Sequence, residues 1–297
     1  MYLIVILAAL LFLRRKRLGL VVPYAGFALV VMWWFTLKPS QYRNWQPSDA
    51  QTASAEINGE HITIHNVRYC SYVTTHDYTC QWETRSFDLA NLSGVDLFIT
   101  WWGPTLIAHP IVSFDFGDQG HVPFSIETRN EVGQSYSAVR GFFRQYALIY
   151  IVSDERDVVR LRTNFRKDEE VYLFRTTVKP QFAREIFLSY LRRVNELHNT
   201  PEWYNAITNN CTTNIDVSAA HASGRHAVWD WRILLNGKMD ELLYERGRLV
   251  TDGLPLPELK AQAHINDAAR AADDSPDWSK LIRFGRVGFT PRAAAGQ

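Results

Sequence analysis

The stretch HPIVSFDFGDQGHVPFSIET, residues 109–128, decides how this chain is read. Two apolar runs flank GDQG at 117–120, a polar insert with glycine at both ends, which is the composition of a tight turn. The runs are rich in Val, Ile and Phe, residues that suit a pleated, half-buried surface. The pattern predicts two strands joined as a hairpin. VDLFITWW (95–102), YALIYIVSD (146–154) and EEVYLFRTTV (169–178) read as strands on the same grounds. Upstream, EINGEHITIHNV alternates apolar with polar positions around an Asn-Gly turn at 58–59, with His61 and His65 on the polar side as solvent-facing residues. VVRLRTNFR (158–166) fits a short helix or an edge element equally well.

Beyond Lys179-Pro180 the apolar period changes from strand to helix. Phe182, Ile186, Phe187, Tyr190, Leu191, Val194 and Leu197 form one stripe, and a proline in the first turn suits a helix start. A second helix is expected to open at Cys211, and a third to run through WRILLNGKMDELLYERG between an Asp230 cap and a Gly247 stop. An Ala-rich helical patch follows at 258–272, then a loose tail ending RAAAGQ. A strand-rich part followed by a helical part is an α+β layout.

The N-terminus has a different character. MYLIVILAALLFL is followed by RRKR and then by an uncharged apolar run from Leu18 to Leu37, about the ~20 residues that a helix needs to cross a bilayer. Trp33 and Trp34 sit near its far end, as interfacial aromatics do, and the basic cluster at 14–17 lies in the cytoplasm, so the chain after Leu37 faces outward. The charges follow the first apolar run rather than precede it, and no small-residue cleavage site follows Leu37, so the segment reads as an anchor rather than a cleaved signal. The expected organisation is an anchor at 1–40 with one or two apolar segments, and a polar linker at 41–54. An α+β domain follows at 55–250, then a helical extension at 251–297. The protein is expected in a bacterial inner membrane, with this domain facing the periplasm.

Composition narrows the chemistry. Hydrophobic residues make up 46% of the chain, so it folds, and a net charge of +1 offers no electrostatic case for nucleic acid. There is no Gly-rich phosphate loop, no GxSxG elbow and no HExxH; neither a metal nor a cofactor is expected. Of the three cysteines, Cys70 and Cys80 flank TTHDYT and, in an oxidising compartment, suit a disulfide that closes a hairpin. That leaves Cys211, in TNNCTTNI (208–215), as the odd thiol. Asn209 or Asn210 can cap a helix there, and unpaired N–H groups of a first turn favour a thiolate and later an oxyanion. A cysteine nucleophile needs a base. His109 opens an apolar strand directly after a Gly-Pro loop and is the candidate, with His121 its rival; Glu127, returned by the hairpin, is a candidate to orient the imidazole if the register puts both on one face.

AHPIVSFDFG, FSIETR, GFFRQYALIYIVSDERDVVRLRTN, PEWYNAITNNCTTN and WDWRILLNGKMDELLYERG together resemble the bacterial Lnb N-terminal periplasmic domain family, over roughly Trp45 to Asn266. The resemblance implies a thiol acyltransferase with a papain-like, permuted NlpC-type core, in which histidine precedes cysteine as His109 precedes Cys211. It implies Cys211 as nucleophile, His109 as base and Glu127 as third member. A membrane phospholipid would be the acyl donor, and a lipoprotein amino group the acceptor. A papain-like cysteine peptidase or cell-wall amidase, and a non-catalytic periplasmic binding or scaffolding domain, are the alternatives. Cys70 and Cys80 lie outside the family pattern, so their bond is a local expectation.

Overall fold

The computed structural model describes residues 16–103, 106–215, 230–233 and 235–289. It divides into two units, residues 1–39 and 40–297. The first contains helix α1 (Lys16–Thr36), with Pro23 inside it and exposed Phe27, Leu29 and Trp33 on its surface. Among the described residues no helix is long and apolar enough to cross a membrane. The shorter apolar run at residues 2–13 lies outside them.

The second unit carries two antiparallel sheets, in an α+β arrangement. Strands β1 (Ser54–Asn58), β2 (His61–Tyr72) and β3 (Tyr78–Asp88) form a three-stranded sheet in that order. Strands β4 (Gly94–Trp102), β5 (Ala108–Asp115), β6 (His121–Arg129), β7 (Ala147–Val152) and β8 (Glu169–Arg175) form a five-stranded sheet ordered β7-β6-β5-β4-β8. The β5–β6 hairpin turns through GDQG, where Gly117 and Gly120 take φ of 59° and 89°, angles that only glycine adopts freely. Cys70 and Cys80 face each other across β2 and β3 and are joined as a disulfide.

Alternation along the five strands separates two cores. Leu97, Ile99, Val112, Phe114, Phe124, Leu148 and Tyr150 point to one face, onto helix α3 (Pro180–Asn199) with its buried Phe187, Tyr190, Leu191 and Val194. Phe114, Phe124, Phe187 and Tyr190 pack edge to face there, with ring centroids 4.9–5.9 Å apart. Phe98, Ile111, Ile149, Ile151, Val171 and Leu173 point to the other face. It is covered by α2 (Glu155–Val158), a π-helical turn at Leu161–Phe165, α6 (Asn266–Ala272) and α7 (Trp278–Leu281).

Several expectations need correction. VVRLRTNFR is neither a regular helix nor an edge strand: α2 runs into the π-turn, which aims Arg162 at the sheet. The single helix expected over WRILLNGKMDELLYERG is broken into 3-10 turns at Trp231–Ile233 and Asn236–Lys238 before α4 (Met239–Glu245), because the Asn236 side chain leaves the helical path to bond the sheet. The Ala-rich patch is two helices, α5 (Leu256–Ala263) and α6, separated where Asn266 completes the β8 edge by accepting from Val171 N and donating to Glu169 O. The residues after 250 are an integral part of the fold, since Trp278 is fully buried and Arg283 ion-pairs with buried Asp96 and Glu155. The polar linker expected at 41–54 is bonded to the domain near its start, through Gln46 N to Asn130 O and Val132 N to Asn44 O. The RAAAGQ tail lies outside the described residues.

Candidate functional site

The upper end of the five-stranded sheet gathers the chemistry. His109 enters β5 opposite Thr100 of β4, which shares the face of Phe98, so the imidazole points to the second core. The β5–β6 register pairs Ile111 with Ser125, and continued by two residues it sets His109 across from Glu127 on that face. Pro110 carries no N–H, so it sits where no ladder donor is needed.

The side chains form a directed relay. Ser125 Oγ donates to Glu127 Oε1 at 2.6 Å and lies 2.8 Å from His109 Nε2. Arg162 donates to the same Glu127 oxygen at 3.2 Å and to Glu169 at 3.0 Å. Burial alone would raise Glu127, but Arg162, then His109 and the Ser125 hydroxyl, hold it well below the carboxylate range. It is ionised and only accepts. The serine's single proton is therefore committed to Glu127, which requires Nε2 to be the protonated nitrogen of a neutral imidazole. Burial and the neighbouring Arg162 lower the imidazole to about 3, so it is neutral at physiological pH and its 3.6 Å approach to Glu127 is no ion pair. Nδ1 is left as the acceptor nitrogen, with no hydrogen-bond partner among the described residues.

The cysteine reaches the same end from the other side. Asn210 caps the helical segment 211–215: its Oδ1 accepts from Thr213 N at 3.0 Å while Thr213 Oγ1 accepts from Asn210 N at 3.0 Å, a reciprocal capping box. Asn209 does not cap. It ties the turn down through Glu202, the Trp203 carbonyl and Asn214. Cys211 occupies the first turn as a free, half-buried thiol. Its Sγ lies 3.8 Å from Thr212 Oγ1 and 3.9 Å from Asn236 Nδ2. Burial raises the thiol above its ordinary value, although the Thr212 hydroxyl and the first-turn N–H groups pull against that shift. Asn236 is the link to the sheet, since it also donates to Thr212 Oγ1 at 2.7 Å and accepts from Ala108 N, beside His109, at 2.8 Å.

Cys211 packs against the core on the α3 face, whereas His109 points to the opposite one, and no hydrogen bond joins them among the described residues. The structure thus brings His109 and Glu127 together and sets Cys211 near the same strand end, with the thiol and the imidazole apart. His121 is elsewhere, at the far end of β6 beside Asp96 and Asp115. Three participants escaped the sequence. Ser125 carried a signal, being polar two residues before Glu127 on the same strand face; Arg162 and Asn236 lay in segments whose local form could not be foreseen. Among the described residues no group of His, Cys, Asp and Glu side chains is arranged to hold a metal ion.

No curated protein and no solved structure matches the chain. The family described as the Lnb N-terminal periplasmic domain matches residues 78–237, more than half of the chain and a span that holds His109, Ser125, Glu127, Arg162, Cys211 and Asn236. This chain belongs to the Lnb N-terminal periplasmic domain family.

Proposed function

We propose that this periplasmic domain is a membrane-anchored thiol acyltransferase with a papain-like arrangement, with Cys211 as nucleophile and His109 Nδ1 as proton acceptor. The observation that carries the reading is the relay from His109 Nε2 through Ser125 to Glu127 and Arg162. It orients the imidazole and leaves Nδ1, which has no hydrogen-bond partner among the described residues, as the acceptor at the strand end to which Asn236 ties the cysteine turn. The family description supports the periplasmic location, and the disulfide suits an oxidising compartment. The uncharged run from Leu18 to Leu37 supports the anchor.

In the forward half-reaction the Cys211 S–H proton passes to Nδ1 and sulfur attacks a phospholipid ester carbonyl. The S–C bond forms, the C–O bond breaks, and the proton leaves with the lysophospholipid oxygen. The Cys211 and Thr212 N–H groups, with the Asn236 amide, are the donors suited to the oxyanion. An amino group, that of a lipoprotein's terminal residue in this reading, then attacks the thioester; N–C forms, S–C breaks, and the amine's surplus proton returns to sulfur. The raised thiol and the lowered imidazole keep the resting pair neutral, so substrate must close the gap between them. Catalytic hydrogen bonds commonly tighten only in the substrate complex.

The test is the covalent intermediate. Full-length protein in vesicles of labelled phospholipid is expected to form a hydroxylamine-sensitive adduct on Cys211, absent in Cys211→Ala and slowed at least a hundredfold in His109→Asn, and discharged faster by a lipopeptide amine than by water. Faster discharge by water points to a hydrolase, the peptidase or amidase reading. No adduct, or one that persists in Cys211→Ala, sinks the acyl-enzyme mechanism. The separation of thiol from imidazole favours the second reading, a non-catalytic binding domain, which predicts no adduct and wild-type behaviour of Cys211→Ala in cells.

A further inference from the structure

The surface beside the cysteine turn is apolar. Val132, Tyr136, Val139, Phe142 and Phe143 are each between 41% and 67% exposed, and Ile207 from the neighbouring turn is 50% exposed. Single exposed apolar residues are ordinary; a concentration of them in one loop and the turn bonded to it is not. From Val132 to Tyr146 the loop has no acidic residue and has two arginines, Arg140 and Arg144. Aromatics with basic residues and no acids are the composition of a surface that meets anionic headgroups.

Two connections give this loop its place. The first runs to the cysteine: Ala206 N donates to Gly141 O at 3.2 Å, and Asn210, the cap before Cys211, donates to Ala206 O at 2.7 Å. The second runs to the stretch that follows the apolar run in sequence. Trp45 bridges to Glu131, Val132 N donates to Asn44 O at 2.8 Å, and Gln46 Nε2 donates to Gln134 O at 2.7 Å. Gln41, which opens this stitched stretch, follows the last apolar residue, Leu37, by a length of chain that covers at most about 14 Å.

We propose that the loop at 132–143, with Ile207, is a membrane-docking face that seats its aromatic side chains in the outer leaflet and holds the Cys211 turn at the depth of the phospholipid esters. Arg140 meets headgroup phosphate. The inference rests on the anchored acyl-transfer reading, and it names the lipid surface as the face's occupant rather than a second copy or another protein. Docking also supplies what the resting site lacks, since leaflet contact acts on the loop bonded to the turn that must move toward His109.

The experiment uses the full chain in phosphatidylethanolamine–phosphatidylglycerol vesicles, with Cys211→Ser and the disulfide intact. One environment-sensitive fluorophore is placed on Val139→Cys, on Phe143→Cys or on Val73→Cys, the last a 72% exposed position after β2. Labels at 139 and 143 are expected to shift to the blue, to be quenched by doxyl lipids and to be shielded from iodide, while the label at 73 stays accessible to iodide. Phe142→Asp combined with Phe143→Asp is expected to reduce doxyl quenching at 139 severalfold. Labels at 139 and 143 that behave like the one at 73 overturn the proposal. A blue shift without doxyl quenching also overturns it, because protein rather than lipid then covers the loop. Docking here, with no adduct on Cys211 of the unsubstituted chain in the same vesicles, refutes only the acyl-transfer reading; an adduct there without docking here refutes only the docking face.

Discussion

The buried neutral His109 has a thermodynamic signature that can be measured apart from any activity. An unfolded imidazole titrates near 6.5, whereas burial and Arg162 lower the folded one to about 3. Between those values the unfolded chain binds the proton and the native one does not, so the linkage slope is positive: this histidine's contribution is complete above pH 6.5 and is lost as pH falls toward 3. At about 1.4 kcal/mol for each pH unit in that window, lowering the pH from 7.5 to 5 removes about 2 kcal/mol. Other groups titrate too, and Asp49, raised to about 6 by its burial, acts in the opposite direction. The comparison is therefore with His109→Gln, which keeps an N–H donor for Ser125 but cannot titrate. Urea unfolding of both proteins in detergent, at steps from pH 7.5 to 5, is expected to show wild type losing about 2 kcal/mol more than the variant. Equal pH slopes would refute the neutral tautomer and, with it, the assignment of Nδ1 as the free acceptor.

Three further outcomes follow from the buried charges and the disulfide. Asp157 accepts from Arg68 twice, from Cys70 N and from Tyr72, so Asp157→Asn strands a buried guanidinium and is expected to cost about 3–5 kcal/mol in denaturant unfolding, with Arg68→Met/Asp157→Leu costing much less. A double variant as unstable as the single one contradicts this. Arg283→Met leaves Asp96 and Glu155 without their shared partner and is expected to lower stability by a similar ~3–5 kcal/mol and to expose Trp278 to fluorescence quenchers; unchanged quenching argues against it. Opening the Cys70–Cys80 bond with Cys70→Ala/Cys80→Ala closes no ten-residue loop and is expected to cost about 2–3 kcal/mol, checked by the shift in urea midpoint at constant slope.

The strands and α3 were legible because their order is repetitive: a hairpin centred on two glycines, runs of β-formers, and a stripe from Phe182 to Leu197. His109 and Glu127 could be put on one hairpin, but a shared face depends on register, which a single residue of slip reverses. The cap at Asn210 followed from residue preference; the separate job of Asn209, bonded to Glu202, did not, because nothing local distinguishes adjacent asparagines. Arg162 was hidden by a π-turn whose form comes from tertiary packing, and Asn236 by an apolar pattern that reads as an unbroken helix. Which side of the sheet receives Cys211 is set by contacts with Asn236 and Ala108, residues 25 and 128 positions away from their partners. Long-range contacts of that kind leave no periodic trace.

The ion pairs of Arg283 also bear on when the domain finishes folding. Asp96 and Glu155 are fully enclosed, and their neutralising guanidinium comes from 187 and 128 residues further along the chain. Asp96 is also paired with Arg175, but Glu155 has no other guanidinium among the described residues, so closing the second core before that arginine arrives would strand a carboxylate away from water at a penalty of several kcal/mol. Burial of the second core is thereby coupled to docking of the C-terminal segment that carries Arg283.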